Sequence, residues 1–244
     1  MKEEFRAIVL AGGEGTRLRP YTVSLPKPLV PVGDRPIMEI VLAQLKEAGV
    51  TRVTLAVNHL AELLMAYFGD GSRFGIPIDY SLEGEPLGTI GPLRLIPDLP
   101  DSFLVMNGDV LTDLDYRGFW ENHKDSTALA SICAYSRVSK IDLGVLDVSS
   151  EGRLVGFREK PEITHLVSMG IYAFRREILD YVPINRSFGF DELMLSLIRH
   201  QIEVRCHFHD GQWLDIGRPD DYERAQHLVG DSPRYEIPAA LSTI

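Results

Sequence analysis

The sequence predicts an α/β fold, a mainly parallel or mixed sheet flanked by helices, with an inserted or appended β-rich portion. Three observations carry this expectation. Residues 5–11 are a near-continuous apolar run ending at Gly12-Gly13, the pattern of a strand buried on both faces. Strand-like and helix-like runs then alternate through the first half of the chain, the rhythm of βαβ units and therefore of parallel strands covered by helices. Beyond Asp109 this alternation gives way to closely spaced strand candidates. The core is thus expected to be Rossmann-like.

After the first strand, Ile37, Ile40, Val41, Leu45 and Ala48 recur at helical spacing, and Gly49 supplies a stop. Residues 53–57 read as the next strand, 60–68 as a helix, 78–80 as a short strand, and 103–106 as a strand ending at Asn107-Gly108-Asp109. A helix is expected over 116–124, then strands over 128–134, 144–148, 154–157 and 169–174, with a hairpin-like turn at Ser149-Ser150-Glu151-Gly152. Helices follow at 190–199 and 219–228. The latter carries Pro219 in its first turn, beside Asp220 and Asp221, where the helix dipole favours negative charge. The length of 244 residues suits one large core, so a single domain is expected over residues 1–231, with 232–244, which lack periodicity, as a loose tail.

Composition excludes several classes of function. With 35 acidic against 25 basic residues, the formal charge is -10, which disfavours a general nucleic-acid surface because neutralising phosphates needs clustered Lys and Arg. Any anion site must be built locally. No apolar run approaches the roughly 20 residues that span a bilayer, and the charged start of the chain lacks the layout of a secretory signal, so no membrane partner is expected. Cys133 and Cys206 make no disulfide framework; both read as small core residues of a protein in a reducing cytoplasm. The run Cys206-His207-Phe208-His209 resembles a metal cluster, but strand alternation is read as opposing His207 to Cys206 and His209, which makes it structural. Trp120 and Trp213 read as packing residues, and Asp113 and Asp115 as surface or capping groups.

The richest segment directly follows the first strand: Leu10-Ala11-Gly12-Gly13-Glu14-Gly15-Thr16-Arg17-Leu18-Arg19-Pro20. Its glycines allow close backbone approach and positive φ, so that successive N–H groups face an anion. From Gly15 to Gly33 there are cations at Arg17, Arg19 and Lys27 and no acid, which marks a local anion site in an acidic chain. It is not a Walker loop, since no Gly-Lys-Ser/Thr follows. Arg17 stands near where the dinucleotide fingerprint needs its third glycine.

The stretch from Gly13 to Pro20, followed by Leu25-Pro26-Lys27-Pro28-Leu29, resembles the signature of sugar-phosphate nucleotidylyltransferases. The resemblance is closest to the mannose 1-phosphate guanylyltransferase branch. It continues through Glu85-Pro86-Leu87-Gly88-Thr89, Asn107-Gly108-Asp109, Glu159-Lys160-Pro161 and Trp213-Leu214-Asp215-Ile216-Gly217. It implies an enzyme joining a nucleoside triphosphate to a sugar 1-phosphate with release of pyrophosphate. Nucleotide binding falls to Leu10, Ala11, Gly12, Gly13, Gly15, Thr16 and Arg17, and to Glu83, Pro86, Gly88 and Thr89 of a nucleobase loop.

The resemblance further implies that Arg17 and Lys27 hold the triphosphate and that Asp109 and Asp215 hold Mg²⁺. One or two carboxylates suffice for a hard cation that also bridges phosphates. An in-line displacement between two polyanions needs fixed cations, and a phosphate nucleophile is already ionised, so no Ser, Cys or His need create it. The β-rich portion becomes the expected sugar-binding part. Glu159 is implied to bond sugar hydroxyls, Lys160 the sugar phosphate, and Gly144 and Gly170 to let the backbone approach the sugar. Ser168 and Leu143 stand where the family usually has Asn and Tyr, which admits a different sugar such as a heptose. A carboxylate at Glu83 or Glu85 favours guanine, which offers two adjacent donors where uracil or thymine offers one. Competing expectations are a dTTP or UTP enzyme acting on glucose 1-phosphate, and a noncatalytic subunit that senses nucleotide sugars. Homo-oligomer formation stays open.

Overall fold

The computed structural model describes residues 4–231, with the final three by backbone alone; the expected tail at 232–244 lies outside the described residues. Strand β1 (Arg6–Leu10) sits inside a seven-stranded sheet and explains its own unbroken apolar sequence. Ala7 and Val9 enter one hydrophobic cluster and Ile8 the other, so the apolar side chains meet a core on both faces, while the buried Arg6 guanidinium donates to Thr54.

In chain order there follow a small ribbon of β2 (Pro31–Val32) and β3 (Arg35–Pro36), helix α1 (Ile37–Glu47), β4 (Arg52–Val57), α2 (Ala61–Phe68), β5 (Ile78–Leu82) and β6 (Ser102–Asn107). Next come β7 (Val110–Thr112), α3 (Tyr116–Lys124), β8 (Ala130–Lys140), β9 (Val145–Val148), β10 (Leu154–Arg158) and β11 (Glu162–Arg175). The sequence closes with α4 (Phe190–Arg199), β12 (Val204–His209), β13 (Trp213–Asp215) and α5 (Pro219–Asp231). The expected helices are present. Gly49 ends α1 in the left-handed region, and Pro219 opens α5.

Sheet order is β12-β8-β11-β6-β1-β4-β5. All neighbouring pairs are parallel except those made by β11, which runs against both β6 and β8. The sheet is therefore mixed but mainly parallel, as expected. Helices cover both faces: α1 buries Ile37, Ile40, Val41 and Leu45 in one cluster, while α4 buries Leu193 and Leu197 in the other. No helix among the described residues is long and apolar enough to cross a membrane.

The β-rich portion is an arm. Strands β8 and β11 outrun the expected 128–134 and 169–174 because they continue past the sheet as a two-stranded ribbon, pairing Leu166 with Ser136 through to Glu162 with Lys140. Its residues, including Arg137, Ser139, Thr164 and His165, mix polar and apolar types that read as loop, while backbone pairing still satisfies their amides. The β9–β10 hairpin lies beyond, its turn closed by the Gly152 N–H donating to the Ser149 carbonyl at 3.0 Å.

Structure corrects two of the sequence readings. Cys133 is buried as expected, but Cys206 is exposed, because β12 is an edge strand whose outward side chains face solvent. His207 and His209 lie on one side of β12, near Phe119 and Tyr135 respectively, and Cys206 lies on the other. Alternation with period two puts positions 207 and 209 together. Trp120 stacks on Phe5 at 4.1 Å, and the Trp213 indole N–H donates to the Met169 carbonyl at 3.0 Å, so both tryptophans pack. Asp115 caps α3 by accepting from the Gly118 N–H, and Asp113 accepts from the Gln212 N–H and pairs with His209.

Candidate functional site

The carboxyl ends of parallel strands open toward one side of the sheet, where ligands bind in this class of fold. There a cleft of about 560 Å³ is lined by the loop after β1, the ends of β4, β5 and β6, and the turn after β13. It gathers Leu10, Ala11, Gly12, Gly13, Gly15, Thr16, Arg17, Lys27, Glu83, Pro86, Gly88, Thr89, Asp109 and Asp215, which are the residues expected for nucleotide and metal. The expected sugar-binding residues Gly144, Glu159, Lys160 and Gly170 lie outside its lining, on the arm and its approaches.

The loop after β1 is shaped by few bonds. The Gly108 N–H donates to the Leu10 carbonyl at 3.0 Å, and the Thr22 hydroxyl donates to the Gly15 carbonyl at 2.8 Å. Among its glycines only Gly15 has positive φ; Gly12 and Gly13 do not, which narrows the expected left-handed geometry to one position. The backbone N–H groups of residues 12–16 have no acceptor among the described residues and border the cleft, a row of donors suited to an anion.

Four charged side chains meet at the cleft floor. Asp109 follows β6 and Asp215 ends β13, and the two segments are joined by the Ile216 N–H donating to the Asp109 carbonyl at 2.9 Å. Lys27 pairs with Asp109, and Arg17, largely exposed, reaches Asp215 at 4.0 Å. Gly217 is the point of convergence. A Cβ there would sit 2.9 Å from Asp215 Oδ1 and 3.1 Å from Asp109 Oδ2, and would also strike the Lys27 ammonium. The Gly217 N–H donates to Asp215 Oδ1 at 3.0 Å.

Burial first, and then the charge of Asp109, hold the Asp215 carboxyl above the usual carboxylate range, while Lys27 pulls it down. Two carboxylates kept close against their repulsion, with the Lys27 ammonium on Asp109, fit a divalent cation held by one or two acids beside a polyphosphate. Among the described residues no set of three or more His, Cys, Asp and Glu is arranged to hold a metal.

At the other end of the cleft, Glu83 is almost fully buried and Glu85 is exposed outside the lining. Burial raises the Glu83 carboxyl, partly countered by the Leu87 N–H, which donates to its Oε2 at 2.9 Å. Its Oε1 faces Gly12, where an added Cβ would lie 3.1 Å away. Gly88 is left-handed and packs on the Phe188 backbone, with the carbonyl oxygen 2.8 Å from where a Cβ would be. Its glycine requirement therefore already has a cause within the fold. Gly170 is left-handed and buried against the Asn107 side chain, and a Cβ added at Gly144 would strike the Phe157 ring and lie 3.3 Å from Glu159 Oε2. Glu159 and Lys160 are exposed on the turn between β10 and β11. Sequence reading passed over Asn58 and His59, which follow β4 and line the cleft; their only signal was a polar pair at the carboxyl end of a parallel strand.

Comparison with known proteins places the chain. Residues 6–232 match the family described as nucleotidyl transferase. The chain is 34% identical over 240 residues to a UTP--glucose-1-phosphate uridylyltransferase of Synechocystis, covering 90% of this chain and 62% of that protein. It is 34% identical over 248 residues to mannose-1-phosphate guanylyltransferase 1 of Arabidopsis thaliana, covering 98% of this chain and 68% of that protein. Among solved structures, HddC from Yersinia pseudotuberculosis superposes with a TM-score of 0.71 at 26% identity, covering 91% of this chain and 98% of that one. The α/β sheet is thus that of a nucleotidyl transferase fold. The chain belongs to the nucleotidyl transferase family, and it spans about two thirds of the length of these two curated relatives.

Proposed function

We propose that the protein transfers a nucleotidyl group from a nucleoside triphosphate to a sugar 1-phosphate and releases pyrophosphate, with GTP and mannose or manno-heptose 1-phosphate as the favoured pair. The convergence of Lys27, Asp109 and Asp215 on Gly217, at the floor of a glycine-lined cleft, carries this reading. The free N–H groups of residues 12–16 and the Arg17 guanidinium receive the triphosphate, and Lys27 sits where negative charge builds in the transition state. Asp109 and Asp215 hold Mg²⁺, which supplies charge neutralisation across the phosphate oxygens when bound. The sugar phosphate attacks the α-phosphorus in line, its oxygen already ionised, and the bond to pyrophosphate breaks. Glu159 and Lys160 face the sugar phosphate from the arm, with Gly144 and Gly170 shaping that side. The free buried thiol of Cys133 suits a reducing cytoplasm.

For the base, Glu83 rather than Glu85 lines the cleft, and its Oε1 is the acceptor available to guanine. The same observation favours a second reading. With Oε2 already taken by Leu87, one remaining oxygen also matches the single imino donor of uracil or thymine, and the cyanobacterial relative is named for UTP and glucose 1-phosphate. A matrix of GTP, UTP, dTTP, ATP and CTP against mannose, manno-heptose and glucose 1-phosphates, read by pyrophosphate release, tests both. GTP with a manno-configured sugar is expected to lead. A lead for UTP or dTTP with glucose 1-phosphate moves the assignment to the second reading, and nucleotide binding without turnover on any sugar indicates a sensing subunit.

A further inference from the structure

Asp221, on the first turn of α5, is 1% exposed and takes no part in the scheme above. Its carboxylate accepts two hydrogen bonds from the Arg137 guanidinium, Nη1 to Oδ2 and Nη2 to Oδ1, each at 3.0 Å. Oδ2 also accepts from the backbone N–H of Asp215 at 3.3 Å. Arg224 and Arg218 approach at 3.6 and 4.0 Å. Arg137 lies over the Trp213 ring, 5.5 Å from its centroid. One buried ionic fork therefore grips both the side chain that begins β13 and the backbone of the residue that ends it.

The need for such a grip follows from topology. Strand β13 is three residues long and pairs with β7, itself three residues long, so the ladder alone fixes Asp215 weakly. Asp215 also faces the like-charged Asp109 across the space beside Gly217. The Ile216 N–H bond to the Asp109 carbonyl ties the next residue, and Asp221 adds a restraint on the Asp215 N–H itself.

We infer that the Arg137–Asp221 pair is a positioning device that sets Asp215 against Asp109 and thereby fixes the spacing of the two carboxylates that hold the metal. This rests on the reading of Asp109 and Asp215 as metal ligands. Arg137 comes from the β8–β11 arm, where it pairs across the ladder with His165, so the device also fastens the arm to the metal side of the cleft. Partners that orient a metal ligand commonly account for about 10- to 100-fold in metal affinity. A pair serving only to staple α5 to the arm would lower the melting temperature and leave the affinity of the folded protein unchanged.

Binding of Mn²⁺ to the nucleotide-free protein, read from the electron paramagnetic resonance signal of the free ion, separates these cases without turnover. In folded Asp221→Asn, confirmed by circular dichroism, we expect Mn²⁺ affinity to fall about tenfold or more. Arg137→Lys keeps the charge but loses the two-pronged geometry, and an intermediate loss is expected. Wild-type affinity in folded Asp221→Asn overturns the inference. Where Asp221→Asn yields no folded protein, Arg137→Lys decides alone, a loss supporting the inference and wild-type affinity overturning it. Asp215→Asn is the control on the underlying assignment. If it binds Mn²⁺ as the wild type does, the ligand reading fails and takes the inference with it; if it loses Mn²⁺ while Asp221→Asn does not, only the positioning role fails.

Discussion

At the residue scale the proposed chemistry depends on Gly217 having no side chain, because three charged groups occupy the space a Cβ would need. Asp109→Asn is expected to fold normally and lose most nucleotidyl transfer, about 100-fold or more in kcat, since it removes charge from the proposed cation and polyphosphate site. Gly217→Ala reaches a comparable loss by sterics. A steady-state assay beside a thermal melt checks both, and near-wild-type turnover in Asp109→Asn contradicts the site. A separate residue, His123, is expected to make the protein less stable in acid. It is 1% exposed, its Nδ1 lies 2.8 Å from the Ser131 hydroxyl, and burial, with a smaller push from Arg175, lowers its pKa from 6.5 to about 4. Below pH 6.5 the unfolded chain takes up a proton that the folded chain refuses until about pH 4, so stability falls as pH drops through that window. The change is on the order of 3 kcal/mol. Denaturant melts at pH 7 and pH 4.5 are expected to differ less in His123→Gln than in the wild type; an unchanged difference excludes His123 as the source.

Elements place these residues through their ends. β1, β4, β5 and β6 deliver the loop, Asn58, Glu83 and Asp109 to one rim because parallel strands share a carboxyl end. Helix α3 shows how a local signal sets an element's start. The Asp115 carboxylate takes the Gly118 N–H at 3.0 Å, satisfying one of the amides that a helix N-terminus leaves unpaired. Asp115→Ala is expected to cost about 1 kcal/mol. A melting temperature lowered by about 2–4 °C with turnover unchanged is the check. Asp115 read as a surface or capping group in the sequence, and α1 with its Gly49 stop and α5 with its Pro219 start were legible, because caps and breakers act within a few residues. The arm was not legible. Nothing in the local pattern of residues 135–140 or 162–168 shows that they pair with each other, since their partners lie about twenty or more residues away.

At the scale of the whole molecule, the sheet separates two cores. Leu45 on α1 and Leu193 on α4 are fully buried in different clusters on opposite faces. Leu45→Ala and Leu193→Ala are each expected to destabilise by about 2–5 kcal/mol, as buried leucines do on truncation. Having no shared neighbours, they are expected to add to within about 0.5 kcal/mol in the double variant. Chemical denaturation measures this; strong non-additivity shows that the two layers are coupled through the sheet. Sequence by itself determined the α/β class, the buried first strand, the glycine loop and its cations, and the two acidic blocks at Asp109 and Asp215. Each of these is written in residues close together along the chain, where spacing and charge can be read directly. Only the tertiary structure decided that Lys27, Asp109, Asp215 and Gly217 share one point, that Glu83 rather than Glu85 enters the cleft, that β11 reverses direction, and that Asp221 bonds the Asp215 N–H. These are relations between segments brought together by strand pairing and burial, whose separations along the chain set no local period and leave no local mark.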